Sequence, residues 1–168
     1  MGRPLTASVA QKLVDQAGEK PLFKVNLSSN GIGAIEAGAF AALGARLLKL
    51  NLTGNVLRSP SLATFTAAAL PSLQQLLLTG NHLVTLTTLE PLPALDVLRA
   101  EANDLKADDI GRELRHLASF AALTALDLSA NPGVPGGSSG GGGSGGAYAA
   151  AARELQAAVP ALAEDGAL

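Results

Sequence analysis

The chain has 168 residues, 48% of them hydrophobic, with no cysteine and a formal net charge of −2. That length suits one domain with a substantial core, and no apolar run is long enough to cross a membrane, so a soluble protein is expected. The lack of cysteine points to a cytosolic or nuclear compartment, and mixed charge without a basic tract disfavours direct nucleic-acid binding.

Met1-Gly2-Arg3-Pro4 leads directly into an amphipathic segment, which argues against a secretory leader. Pro4 and the want of a second membrane signal argue against myristoylation at Gly2. Thr6 is placed to N-cap a helix over 7–17, with Val9, Leu13 and Val14 near one face and Gly18 as its stop. Residues 1–20 are expected to act as a cap over the open edge of the first strand.

From residue 22 one pattern recurs five times: L-x-x-L-x-L-x-x-N-x-L. Its clearest copy is Leu73, Leu76, Leu78, Asn81 and Leu83. Before it come Leu22, Val25, Leu27, Asn30, Ile32 and then Leu47, Leu50, Leu52, Asn55, Leu57. After it come Leu95, Leu98, Ala100, Asn103, Leu105 and finally Leu123, Leu126, Leu128, Asn131, where Gly133 and Val134 replace the last Leu. Starts at 22, 47, 73, 95 and 123 give spacings of 25, 26, 22 and 28 residues. Leucines at the fourth and sixth positions alternate with polar residues, so each copy reads as a short strand burying one face. One such strand cannot bury its own leucines, but stacked copies share a continuous core. The Asn stands where the chain turns off the strand, and its amide can satisfy backbone groups buried there. Asn30, Asn55, Asn81, Asn103 and Asn131 are therefore expected to form a ladder.

The segments returning between strands differ. Residues 37–45 are Ala-rich and predict a short helix. Residues 61–70 predict a clearer one, with Leu62, Phe65 and Leu70 inward and Pro71 as its stop. Residues 87–93 are too short and Pro-broken for more than a turn. Residues 108–121 predict the longest helix, with Ile110, Leu114, Leu117 and Phe120 inward and Arg112, Glu113, Arg115 and His116 facing solvent. The repeats thus run from 21 to 134. Residues 135–146 are almost pure Gly and Ser and read as a flexible loop, either an engineered joint or, the favoured reading because the sequence after it resumes a helix pattern, a native insertion. Residues 147–168 predict a helix and turn that cover the last repeat.

The recurring pattern resembles the leucine-rich repeat. With the ending Asn131-Pro132, Tyr148, Val159-Pro160, Leu162 and Asp165-Gly166, the chain is similar to small intracellular leucine-rich-repeat proteins that carry a C-terminal cap. It departs from them in the stretched glycine loop and in Glu164, where an apolar residue is usual. Relatives of this shape include the axonemal dynein light chain, other ciliary leucine-rich-repeat proteins, a phosphatase regulatory subunit and the spliceosomal A-prime protein. Leu5-Thr6-Ala7 and residues 76–84 followed by Glu90-Pro91-Leu92 are similar to the A-prime protein, while the extra 28-residue unit before the cap is closer to ciliary members. The resemblance implies an α/β solenoid with a parallel sheet on the concave face, short helices and turns on the convex face, and helical caps. It also implies a structural or adaptor subunit of a ciliary or axonemal complex, cytoplasmic and in the cilium or flagellum. A nuclear spliceosomal partner binder and a phosphatase-type regulatory subunit are the alternatives.

No constellation reads as catalytic, cofactor-binding or metal-binding, so no enzyme activity and no cofactor are expected. His82 and His116 fall in different repeats without a carboxylate pair or Cys at ligand spacing. Gly31-Ile32-Gly33 lacks the following glycine of a phosphate cradle, Asp108-Asp109 reads as a helix cap, and Ser28 and Ser129 have no base placed beside them. The candidate site is the outward face of the sheet, formed by the third, fifth and seventh positions. Lys24 and Lys49 make one end basic; Gln75, Leu77, Val97 and Arg99 form the middle; Glu101 and Asp127 make the far end acidic. A solvated sheet does not need Leu77 beside Val97, so the expected occupant is a protein partner within a larger complex, with no membrane contact.

Overall fold

The computed structural model describes residues 2–17, 23–41, 43, 46–106, 109–134, 145–158 and 160. Its elements in order are β1 (Arg3–Leu5), α1 (Ala7–Ala17), β2 (Lys24–Asn26), β3 (Ile32–Ile35), β4 (Lys49–Asn51), a 3-10 helix (Ser59–Thr64), β5 (Gln75–Leu77), β6 (Val97–Arg99), α2 (Ile110–Leu117), β7 (Ala125–Asp127) and α3 (Gly145–Ala158).

Each repeat contributes one three-residue strand, and the five strands form a parallel sheet in the order β2-β4-β5-β6-β7. Equivalent repeat positions pair without slippage: Val25, Leu50, Leu76, Leu98 and Leu126 align across the sheet. The register follows from burial, because a one-residue slip would turn every central leucine to the outer face. Backbone bonds extend this ladder past the strands, as in Leu52 N–H to the Leu77 carbonyl and Leu78 N–H to that of Arg99. Behind the sheet the leucines join one core with Phe40, Phe65 and Phe120, each at most 1% exposed. The rings of Phe40 and Phe65 meet with centroids 5.0 Å apart.

A turn conformation recurs just before each Asn. The eighth repeat position has positive φ in all five copies: Ser29 at 55°, Gly54 at 67°, Gly80 at 64°, Ala102 at 50° and Ala130 at 56°. Gly is the natural occupant of this region, and Ser29, Ala102 and Ala130 hold it at a steric cost.

The return segments correct several expectations. Residues 37–41 form turns, with turn hydrogen bonds such as Ala39 N–H to the Glu36 carbonyl, while residues 42, 44 and 45 of the expected helix lie outside the described residues. Residues 59–64 form a 3-10 helix starting two residues early, because Pro60 sits in its first turn after an extended Arg58. Leu62, Phe65 and Leu70 do point inward, each fully buried. In α1, Thr6 Oγ1 accepts the Val9 N–H at 3.2 Å, but Val9 itself is exposed and the inward face is Ala10, Leu13 and Val14. The repeat pattern gives no sign of strands β1 and β3. They pair in parallel as a separate two-stranded sheet, and Leu5 enters the core from β1.

Glu113 is the largest departure. Expected on a solvated face, it is fully buried: its carboxylate accepts Thr85 Oγ1–H at 2.5 Å and the Leu86 N–H at 2.6 Å. His116, also expected outside, is half-buried, with Nε2 at 2.8 Å from the Leu89 carbonyl and its ring edge-on to Phe120. The Asp109 side chain makes no cap bond and instead pairs with Arg112 at 2.6 Å. Helix α3 packs against α2 and buries Ala152 and Leu155. It begins at Gly145, so the last two residues assigned to the Gly/Ser loop are helical. Tyr148 falls within α3. Gly18, Leu22, Asp108, residues 135–144, Val159, Leu162, Asp165 and Gly166 lie outside the described residues.

Candidate functional site

The sheet's outer face is set by the same registration that builds the core. Each strand buries its middle residue and shows its two flanking residues, so third positions line up as Lys24, Lys49, Gln75, Val97 and Ala125. Fifth positions line up as Asn26, Asn51, Leu77, Arg99 and Asp127. Adjacent strands lie about 4.8 Å apart, which makes each row continuous.

The fifth row performs a backbone task that sequence reasoning missed. Asn26, Asn51 and Asp127 each accept the N–H two residues on, from Ser28, Thr53 and Ser129, at 3.0 Å. Each bond closes an Asx turn that steers the chain off the strand. The signal was legible as Asx-x-Ser/Thr in three of five copies. Leu77 and Arg99 occupy the same position in the middle two repeats and cannot make this bond. Their presence is not explained by the turn.

Leu77 lies directly across from Arg99, and Val97 across from Gln75, so Leu77 and Val97 are diagonal rather than opposed. Both are half-buried, while Arg99 is exposed. Arg99 Nη1 sits 3.5 Å from Glu101 Oε1, and the other oxygen of Glu101 accepts the Thr79 hydroxyl. Burial pushes the Asp127 carboxyl up, but the Ser129 backbone and hydroxyl bonds, a Glu101 contact and the Arg99 charge together hold it below its ordinary value. Lys24 and Lys49 stand at the opposite end. The face thus runs from cationic, through an apolar pair beside a guanidinium, to anionic.

Along one side of this sheet the asparagines lie in the interior. Asn55, Asn81, Asn103 and Asn131 are each at most 4% exposed. The Asn81 amide donates to the Leu52 and Leu78 carbonyls at 3.0 and 2.8 Å, and its oxygen accepts the Leu57 N–H at 3.0 Å. Asn103 and Asn131 repeat the arrangement one strand further on. Asn30 differs: it is exposed and, among the described residues, its amide donates to the Ser28 carbonyl alone, since no earlier strand of the sheet stands beside it to be bridged.

Other candidates do not assemble. Among the described residues no three His, Asp or Glu side chains gather as a metal set. His82 faces Asp104 alone at 3.3 Å. Arg112 and Arg115 on α2 are paired with Asp109 and Glu154. No described helix is long and apolar enough to cross a membrane.

Residues 20–83 match the family model described as Leucine rich repeat. No curated protein matches the chain. The match, the mixed α/β architecture and the parallel sheet fit a leucine-rich-repeat fold, whose domains commonly mediate protein–protein interaction.

Proposed function

We propose that this leucine-rich-repeat protein is a non-enzymatic module that holds a protein partner on the outer face of its sheet, centred on Leu77, Val97 and Arg99. The chain is read as a capped solenoid with that face concave. The observation carrying the reading is the substitution in the fifth row: three repeats use Asn or Asp to close a turn, while Leu77 and Arg99 abandon that task and project into the face. Aliphatic or aromatic groups of a partner would cover Leu77 and Val97, with a carboxylate displacing Glu101 from Arg99. The narrower reading is a structural or adaptor subunit of a ciliary or axonemal complex, supported by the five-repeat layout before the final helix. Localising a tagged copy tests it against the nuclear alternative.

Leu77→Asp places a charge in the contact. It is expected to weaken partner recovery from native extract by more than about 2 kcal/mol, while the folded protein, losing only a half-buried contact, is destabilised by about 1 kcal/mol or less. Equal recovery by wild type and variant would remove the face as the site.

A further inference from the structure

A second surface lies away from the outer face, where β1 and β3 meet the turns of the second and third repeats. Residues Arg58 and His82 form a parallel bridge there, and between that bridge and β1 runs an open cleft of about 930 Å³. Its basic side chains are Arg3, Arg58 and His82. Asp104 faces His82, but neither guanidinium has an ion-pair partner among the described residues. Two such arginines flanking one concavity are not required by the fold, since both side chains are exposed and the core is complete behind them.

The floor is built from backbone. A Cβ on Gly33 would come within 2.8 Å of Gly2 Cα, and one on Gly2 within 2.6 Å of Gly33 N. Glycine at both positions lets the chain before β1 lie directly on β3, and Arg3 N–H bonds the Gly31 carbonyl at 2.7 Å. This close approach fixes Arg3 on one wall while the bridge fixes Arg58 on the other. Pro4 and Val56 add apolar lining between them.

We infer that this cleft binds an acidic, extended peptide segment of a protein, with carboxylates on Arg3 and Arg58 and small apolar side chains against Pro4 and Val56. Guanidinium groups match carboxylates in a planar, two-pronged geometry, which makes arginine suited to the task. A nucleic acid is the poorer fit, because the lining offers a base only the single His82 ring to stack on and too few cations to follow a phosphate backbone.

The test is a fluorescence-anisotropy titration of the full chain at low salt, using a dye-labelled acetyl-Glu-Glu-Ala-Glu-Glu-Ala amide. A Kd on the order of 0.1 mM is expected, the range open to a short peptide with a few exposed charge contacts. Arg58→Glu and Arg3→Glu should each raise it about tenfold or more, and Arg58→Gln by less, with thermal melts unchanged. The same peptide with Lys for Glu should not bind. Leu77→Asp should leave this binding intact, so failure here and failure of the outer-face reading are separate results. No saturable binding at millimolar peptide, indifference to Arg58→Glu and Arg58→Gln, or tighter binding of a ten-residue oligouridylate would overturn the proposal.

Discussion

Asn81 bonds the Leu57 N–H and the Leu52 and Leu78 carbonyls across two repeats, and those two carbonyls also accept from Asn55 and Asn103. Removing its amide orphans the Leu57 N–H and weakens the Leu52 and Leu78 carbonyls in a buried turn. An unsatisfied buried group costs about 1–3 kcal/mol, so Asn81→Ala is expected to lose at least about 2 kcal/mol. Asn30→Ala, which removes one exposed bond to the Ser28 carbonyl, should lose under about 0.5 kcal/mol. Urea midpoints with unchanged slopes measure both, and equal losses would contradict the geometry. At this scale the sequence showed which residue type recurs but not that the first copy is unlike the rest. The Asn holds the same place in every copy; the difference lies in whether an earlier repeat stands beside it.

At the scale of elements, strands were legible and returns were not. A strand's role depends on alternation over a few residues, and Leu50, Leu76 and Leu98 carry that signal in themselves. The returns depend on the groups that face them. Glu113 lies three residues after Ile110 and four before Leu117, on the apolar stripe of α2, yet its charge suggested solvent. Burial is tolerable because the Thr85–Leu86 turn of the preceding repeat offers a hydroxyl and an N–H to the carboxylate. Ser59 serves the same turn from the other side, accepting the Val84 and Thr85 N–H groups at 3.0 and 2.9 Å. Three repeats are thus tied by polar bonds behind the sheet. Glu113→Ala should cost about 2–4 kcal/mol by leaving the Leu86 N–H unpaired and a void beside it. Glu113→Gln keeps an acceptor and should cost about 1 kcal/mol or less. Thermal melts that fail to separate the two variants would mean the bonds contribute nothing beyond packing.

Over the whole molecule, each repeat meets only its neighbours, so the core has two ends that water would otherwise enter. The N-terminal end receives Leu5 from β1 and Ala10 from α1. Near the other end α3, which comes after β7 and the glycine-rich stretch, packs against α2. Leu155, fully buried, is the side chain that α3 drives into the core, with Ala152 beside it. A helix this poor in large apolar residues has little intrinsic reason to stay docked. Among the described side chains of α3 its contribution should therefore rest chiefly on that leucine, assisted weakly by the exposed Glu154–Arg115 pair at 3.9 Å. Leu155→Ala is expected to cost about 2–5 kcal/mol, the range for truncating a buried leucine, unless α3 detaches before the repeats unfold. Detachment predicts a distinct signature: a small early transition, seen by a probe on α3, with the main midpoint displaced less than the full loss implies. A single cooperative transition at a lower midpoint would instead show that the final helix and the repeats fold as one unit. An unchanged melt by both probes would show that α3 is appended to the repeats without sealing them.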